Sequence, residues 1–575
     1  MTAAIEVKNL SFRYPGATED TLRNVNLTIE AGDFVAVVGG NGSGKTTLCK
    51  SFNGLIPHYW SGDFAGEVLV HGTDTVNSSV GALSSTVGYV YQDFHNQLVR
   101  PTVRDEVSYG PLNYGFEDHA ERTQQALELL GIAHLRDKFV WQLSGGQAHL
   151  TALAGVLALR PDIIIVDEPV AELDPARARE IYLRLRELNE RGITIITIEH
   201  HAELLAEFAT SVVLMAEGAP VWHLPIQEAL NRSEELAEHG IPTPAMIDVA
   251  RQLGATDVPR SVAAAETWLR ERDLVPTESR PRPDLEVNPS TSRKEVVATL
   301  SDVEHGFHTV AGDFQHVISG ISLNLYEGEN IALVGSNGAG KTTLMRLLTG
   351  LKVPRAGQMT VVGVNTRSRS AAKMADLVSY LYQHPQQMFL QDSVRSDVQM
   401  FPAGRKVPDA AGITERVLER TGLLPLADRD GRTLSGGQQR RATIAIGLAM
   451  RPQLLLLDEP TSSLDVRSRD DVIGMLTELA DSIRCAVVAT HDMQLVADWA
   501  TRVIVLEQGK VLADLSPREL FGQPTLVERS RLRPPQITEL GVALGLDPLP
   551  LNAQEMLDSL PRPVAAGLLE QEPLT

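Results

Sequence analysis

The octapeptide Gly39-Gly40-Asn41-Gly42-Ser43-Gly44-Lys45-Thr46 fits the pattern G-x-x-x-x-G-K-[ST], whose chemistry is phosphate binding. Glycines here let backbone N–H groups approach phosphate oxygens with no Cβ in the way. A helix N-terminus behind them adds partial positive charge. Lys45 would meet the β- and γ-phosphates as a point charge, and the Thr46 hydroxyl would ligate Mg²⁺. A glycine-rich turn without a ligand is the plainer alternative, and the complete pattern argues against it. The same pattern recurs as Gly335-Ser336-Asn337-Gly338-Ala339-Gly340-Lys341-Thr342.

Other chemistry-bearing residues follow each loop in one order. Asp167 and Glu168 end the apolar run Ile163-Ile164-Ile165-Val166, and Asp458 and Glu459 end Leu454-Leu455-Leu456-Leu457. In each pair the aspartate suits Mg²⁺ and the glutamate suits polarising an attacking water. Ser144-Gly145-Gly146-Gln147 and Ser435-Gly436-Gly437-Gln438 stand where helices begin. A hydroxyl, free amides and the helix dipole converge there as a second anion site. Gln92 and Gln383 end strand-like runs; each could touch Mg²⁺ and the attacking water, or be a plain loop residue. His200 and His491 follow buried runs and could sense a γ-phosphate or be solvated turn residues. Tyr14, before Pro15-Gly16, could stack on an adenine ring or simply end a strand.

The elements that must position these groups are short buried strands with helices between them. Phe34–Val38 and Ile331–Val334 precede the two glycine-rich loops, and helices begin near Lys45 and Lys341. The carboxylates stand at strand C-terminal ends, where ligands bind in open α/β sheets. The segment from Thr102 to Gly110 reads as a short helix, and residues 5–14 and 24–29 alternate in strand fashion. Gln92 and Gln383, Ser144 and Ser435, Asp167 and Asp458, and Asp174 and Asp465 are each 291 residues apart, a register that pairs His200, not His201, with His491. The two lysines are 296 apart, so the first half carries five extra residues between its loop and Gln92. The chain is a tandem duplication.

The expected fold class is therefore α/β, with two tandem P-loop NTPase domains. Each has a helical subdomain and a short C-terminal helical appendix. The expected boundaries are residues 1–230 and 296–523 for the domains, 231–275 and 524–575 for the appendices, and 276–295 for a linker. The appendices share the pattern Pro244-Ala245-Met246-Ile247 and Pro535-Gln536-Ile537-Thr538.

Bulk properties exclude several functions. A chain of 575 residues exceeds one core. A formal net charge of −21 argues against a general nucleic-acid binder. Two cysteines, Cys49 and Cys485, make neither a disulfide framework nor a four-thiolate metal site, and read as small buried residues. With neither a signal peptide nor a stretch of about 18 apolar residues, the expected location is the cytoplasmic face of the membrane, peripherally.

The order of P-loop, strand-end Gln, Leu-Ser-Gly-Gly-Gln, Asp-Glu strand, Leu-Asp and His resembles the nucleotide-binding domain of ATP-binding cassette (ABC) proteins, twice over. The resemblance implies ATP as substrate with Mg²⁺ as cofactor. It implies that Glu168 and Glu459 are catalytic, assisted by His200, His491, Gln92 and Gln383. Mg²⁺ would be held by Thr46, Gln92 and Asp167, and by Thr342, Gln383 and Asp458. The nucleotide-binding set extends through Thr47 and Thr343, and Tyr14 and Phe307 match the adenine-stacking aromatic. In the family two such domains close head-to-tail around two ATP molecules. One chain would then be its own heterodimer, with Lys45 facing Ser435 and Lys341 facing Ser144.

A subfamily resemblance rests on softer signals. Gln92-Asp93-Phe94-His95-Asn96-Gln97, Gln383-His384-Pro385-Gln386-Gln387, the segment Val103–Pro111 and Arg533-Pro534-Pro535-Gln536-Ile537-Thr538 are similar to parts of energy-coupling factor (ECF) transporter ATPases. The resemblance implies two membrane partners, a coupling (T) subunit and a small substrate-binding (S) subunit, and uptake of a vitamin, precursor or metal ion. Three neighbouring classes fit less of the sequence. Tandem ABC proteins acting on ribosomes usually carry a long charged linker, whereas Pro276–Lys294 is short. DNA-repair ABC ATPases would carry zinc cysteines or a long coiled coil. Tandem importer ATPases for sugars or peptides often have one degenerate half. The departures here are Ala148-His149-Leu150 against Gln439-Arg440-Arg441, and Val170-Ala171-Glu172 against Thr461-Ser462-Ser463.

Overall fold

The computed structural model describes residues 2–170, 175–275, 295–308, 314–336, 338–462, 464, 466–479 and 483–561. Asn337, Asp174, Asp465 and the expected linker through residue 294 lie outside the described residues.

The first half forms strands β1 (Ala3–Arg13), β2 (Leu22–Glu30), β3 (Phe34–Val38), β4 (Asp63–Val70), β5 (Thr73–Asp74), β6 (Val87–Val90), β7 (Ile163–Asp167), β8 (Thr194–Ile198), β9 (Ser211–Ala216) and β10 (Ala219–Pro225). The second half repeats them as β11 (Val296–His308), β12 (Phe314–Tyr326), β13 (Glu329–Val334), β14 (Ala356–Val361), β15 (Val364–Asn365), β16 (Val378–Leu381), β17 (Leu454–Asp458), β18 (Cys485–Ala489), β19 (Arg502–Glu507) and β20 (Lys510–Leu515).

Each half has an antiparallel sheet, in order β2-β1-β4-β5 or β12-β11-β14-β15. Each also has a six-stranded sheet, in order β6-β7-β8-β3-β9-β10 or β16-β17-β18-β13-β19-β20. In the six-stranded sheets only the last strand runs antiparallel to its neighbour. The central strands are uniformly apolar because both faces are covered. Ile163 and Ile165 point into the core shared with β1 and β3, whereas Ile164 and Val166 point into the core shared with the helices. Strand alternation, with a period of two, builds a three-layered half from one five-residue strand.

That topology places the chemistry. The P-loop strand β3 lies between β8 and β9, and β7 pairs in parallel with β8 so that Asp167 stands opposite Ile198. The carboxylates of β7 and the histidine after β8 thus emerge at one sheet edge beside the loop after β3. The helical subdomain packs Val103–Asn113, His119–Leu129 and Gly145–Leu157 around Val103, Val107, Leu127 and Leu153. The helix expected over residues 102–110 runs on to Asn113, with Thr102 accepting from the Asp105 N–H as its cap.

The appendix helices of the first half, Ala245–Gln252 and Val262–Arg270, pack on Gln536–Leu544 and Ala553–Ser559 of the second. Met246, Val249, Leu269, Ile537, Leu540 and Met556 share one apolar cluster, and Arg270 donates to the Ala543 carbonyl at 3.2 Å. The start of the first appendix is not separate from its domain. Leu236, Ile241, Ile247 and Val258 are buried with Val38 and Leu214 of the sheet, because the segment covers the face that β9 would otherwise leave to water. Among the described residues, no helix is long and apolar enough to cross a membrane.

Candidate nucleotide sites

Each P-loop turns sharply from its strand into a helix, Lys45–Phe52 or Lys341–Leu348. Gly39 and Gly335 both have φ of 142°. A Cβ at Gly39 would stand 2.1 Å from the Met215 carbonyl oxygen, and one at Gly335 2.2 Å from that of Leu506, so no other residue fits. Buried Lys45 donates to the Gly39 and Gly40 carbonyls at 2.8 and 2.9 Å, and Lys341 donates to Gly335 at 2.7 Å. The ammonium groups are thereby stored over the loop where a phosphate would compete for them. Thr47 is buried, while Thr46, Thr342 and Thr343 are half-buried in the first helical turns. Tyr14 Oη lies 3.3 Å from Thr47 Oγ1, which puts the ring beside the loop. Its counterpart Phe307 is more exposed, on β11 opposite Gln315. Each aromatic stands five residues after a left-handed residue in its strand, Asn9 or Asp302.

The carboxylate pairs are held by unlike means. Asp167 is buried; Tyr89 donates to it at 3.0 Å, and Thr46 Oγ1 stands 3.5 Å from it. Burial pushes its carboxyl above the usual range, and the Tyr89 hydroxyl pulls partly back. Tyr380 repeats this at Asp458 with a 2.7 Å bond. A hydroxyl and a carboxylate together are an oxygen-only donor set, which suits a hard divalent cation. Glu168 and Glu459 are both left-handed, with φ of 49° and 48°. Their N–H groups bond the Ile198 and Ala489 carbonyls at 2.9 and 2.8 Å, so the neighbouring strand holds the strained backbone. In the first half Gln92 Nε2 donates to Glu168 at 2.6 Å, and His200 Nε2 lies 3.2 Å from it. In the second half His491 turns its other nitrogen, Nδ1, to Glu459 at 2.9 Å. Burial opposes charge on the His491 ring, but Glu459 overrides it and raises the pKa above the ordinary imidazole value.

Ser144 and Ser435 are N-caps of Gly145–Leu157 and Gly436–Ala449. Each forms a capping box with Gln147 or Gln438, whose amide N–H donates to the serine hydroxyl at 3.4 Å. The Ser144 hydroxyl also accepts from Arg177 at 3.0 Å, and Ser468 stands at the matching position of the second half. Within each half the structure brings together the P-loop, strand-end carboxylates, glutamine and histidine. The signature serines lie on their own subdomains, and the main contacts between halves are those of the appendices.

Sequence reasoning missed Tyr89 and Tyr380, which orient the aspartates. The alternation Tyr89-Val90-Tyr91 already put both rings on one face and was the available signal. It missed Glu106 and Asp397, whose carboxylates accept from the N–H groups of Val99 and Arg100, or Leu390 and Gln391, at 2.6–2.9 Å. Their equal spacing in the duplicated register was the clue.

The family profile described as ABC transporter matches residues 22–171 and 318–462. A Methanosarcina acetivorans protein with the provisional name ABC transporter ATP-binding protein is 32% identical, over 97% of this chain and 91% of its own. The solved structure of CbiO1 from Clostridium perfringens, described as part of the ABC transporter complex cbiONQ, is 32% identical over 41% of this chain and 94% of its own, with a TM-score of 0.37. An archaeal ribosome recycling factor, aABCE1, solved with the stalk protein aP1, is 20% identical and covers 89% of this chain and 91% of its own, with a TM-score of 0.56. At that identity the match speaks to the fold: two ATPase cassettes in one polypeptide. With both cassettes matched and the similarity running almost end to end, the chain belongs to the ABC transporter ATP-binding family, whose domains hydrolyse ATP.

Proposed function

We propose that this chain is the motor subunit of an ABC importer of the energy-coupling factor type. It would energise uptake of a vitamin, precursor or metal ion through a membrane coupling subunit and a small substrate-binding membrane subunit. The observation that carries the reading is an apolar surface beside each glutamine-bearing loop. In the first half Val99 is 63% and Trp141 69% exposed, with Tyr109, Leu112 and Phe139 beside them. Thr102 bridges to Phe139, and the Phe139 and Trp141 rings stack at 4.6 Å, which ties that pair to the cap of the helix carrying Tyr109 and Leu112. Patches of this kind mark protein or membrane contacts. The second half keeps exposed Leu390 and Met400, but has the Asp430–Arg432 ion pair where the first has Phe139 and Trp141. Two unlike faces suit one coupling protein presenting two unlike segments.

In this reading Lys45 and Lys341 leave their carbonyls for phosphate oxygens. Tyr14 and Phe307 stack on adenine. Glu168 and Glu459 take a proton from the attacking water, aided by Gln92, Gln383, His200 and His491. Thr46 with Asp167, and Thr342 with Asp458, would hold Mg²⁺ with Gln92 or Gln383, and the ion would neutralise phosphate charge. ATP would close the halves, Lys45 opposite Ser435 and Lys341 opposite Ser144, and phosphate release would reopen them. The difference in affinity between the two states is what drives the membrane partner.

Two experiments test this. Glu459→Gln keeps shape and hydrogen bonding but removes the base of the Lys341 site, so ATP should be retained at that site and the chain's turnover should fall to what the Glu168 site supplies. Unchanged turnover would remove Glu459 from the chemistry. Purification of the tagged chain from detergent-solubilised native membranes should bring down two small polytopic membrane proteins. Recovery of ribosomal proteins instead would overturn the transport reading and leave the ATPase intact.

A further inference from the structure

The helix that begins at each signature serine differs between the halves at one buried position. Arg440 is 3% exposed, and its guanidinium reaches out of the helix to the loop carrying Gln383. It donates to the Tyr382 carbonyl at 3.0 Å and to the Gln383 carbonyl at 2.9 Å. Burial lowers its pKa to about 10, and the nearby Glu459 and Asp458 carboxylates resist that, so it is a cation at neutral pH. The residue 291 positions earlier is His149. It is 1% exposed, and neither ring nitrogen has a hydrogen-bond partner among the described residues. Burial pushes His149 down to about 4, so it is neutral. Its ring packs on Phe94 at 5.2 Å, and Phe94 takes the place that Pro385 has in the second half. The first-half loop is held otherwise: Gln97 accepts from the Tyr91 N–H at 3.0 Å, and Gln92 reaches Glu168 directly.

From this contrast we infer that Arg440 is a positioning residue that ties the Gln383 loop to the helix beginning at Ser435, and that His149 leaves the first half without this tie. The consequence concerns how the two ATP sites communicate, and it rests on the reading in which Ser435 serves the site of Lys45 while Gln383 serves the site of Lys341. Arg440 then joins a residue of one site to a residue of the other through a single buried side chain. A crevice of about 130 Å³, lined by Gln383, Pro385, Gly436, Arg440 and Ser462, adjoins this joint and gives the loop room to move when the tie is cut. In the first half the signature helix and the Gln92 loop meet through apolar packing of His149 on Phe94, with no hydrogen bond from His149 to the loop among the described residues. Movement then passes between sites more directly through the second half than through the first.

The test is amide hydrogen exchange on the full chain, together with turnover in two backgrounds. Arg440→Met removes both donors at nearly constant length. Residues 382–387 should then exchange about tenfold faster, as expected for the loss of charged hydrogen bonds, with residues 91–97 unchanged. Arg440→Lys restores a donor at the same length, so its exchange should fall between wild type and Arg440→Met. Simple loss of packing would not give that order. With Glu168→Gln, which leaves the Glu459 site, Arg440→Met should lower kcat about tenfold or more and leave the ATP KM within about twofold. With Glu459→Gln it should change turnover much less. Unchanged exchange at 382–387 in a folded Arg440→Met chain overturns the tie, and equal losses in the two backgrounds overturn the positioning role. If Arg440→Met does not fold, Arg440→Lys decides: a rise confined to 382–387 supports the tie, and no rise, or a rise spread across the half, overturns it. If neither glutamate substitution lowers turnover, the catalytic reading fails, while the exchange result still decides the tie.

Discussion

Tyr89→Phe removes one oxygen and leaves the ring in its packing against Tyr91, 5.0 Å away. What it takes from the protein is the 3.0 Å bond to Asp167, between two groups 6% and 4% exposed. A hydrogen bond to a buried charge is worth about 1.5–3 kcal/mol, and nothing in Phe replaces it. For a domain of this size, a loss of about 2 kcal/mol lowers the unfolding midpoint by about 4–8 °C. The sign of the pH dependence follows from Asp167. Burial holds its folded-state pKa above the unfolded value, so ionised Asp167 costs stability as pH rises through that window. The Tyr89 hydroxyl offsets part of that cost. The deficit of Tyr89→Phe should be largest where Asp167 is ionised and shrink as pH falls and its carboxyl takes up a proton in wild type and variant alike. The assay is calorimetry of the nucleotide-free chain from pH 7.5 down to the acid limit of solubility. A midpoint within 1 °C of wild type at pH 7.5, or a deficit that does not shrink with acid, would refute the argument.

Two further outcomes follow from the geometry. Gly335→Ala forces a Cβ to 2.2 Å from the Leu506 carbonyl, whereas Gly338→Ala, at φ of 84°, meets open space. The first should abolish binding of a fluorescent ATP analogue, and the second should cost only about 1 kcal/mol of backbone strain, measured as a thermal shift. Leu540→Ala opens a cavity in the cluster shared by the appendices and should cost about 3 kcal/mol. After cleavage at a protease site engineered between residues 276 and 294, the wild-type halves should co-elute in gel filtration and the variant halves should separate.

Much of this was legible in the chain. The P-loops, the acidic strand ends, the signature helices and the duplication all rest on short-range rules: a glycine where φ is positive, a serine where a helix starts, an apolar run where both faces are covered. Repetition at a constant register then made each motif support the other. The helix that begins at Val103 runs past Gly110 to Asn113, since a proline such as Pro111 in the final turns is tolerated where packing holds the helix. That Leu236 and Ile241, inside the expected first appendix, are buried against the sheet could be seen only once the strands they cover were in place.

The sequence by itself determined which groups exist and in what order: two lysines, two acid pairs, two glutamines and two histidines. Local backbone chemistry sets those, and it is written in consecutive residues. Only tertiary structure decided how alike the two sets are. Gln92 bonds Glu168, whereas His491 reaches Glu459 with a different nitrogen from the one His200 offers Glu168. Arg440 holds a loop that His149 does not. Such differences depend on which side chains meet across elements far apart in the chain. A one-residue difference at a buried contact changes how a loop is held, because an interior donor must find a partner or be replaced by packing.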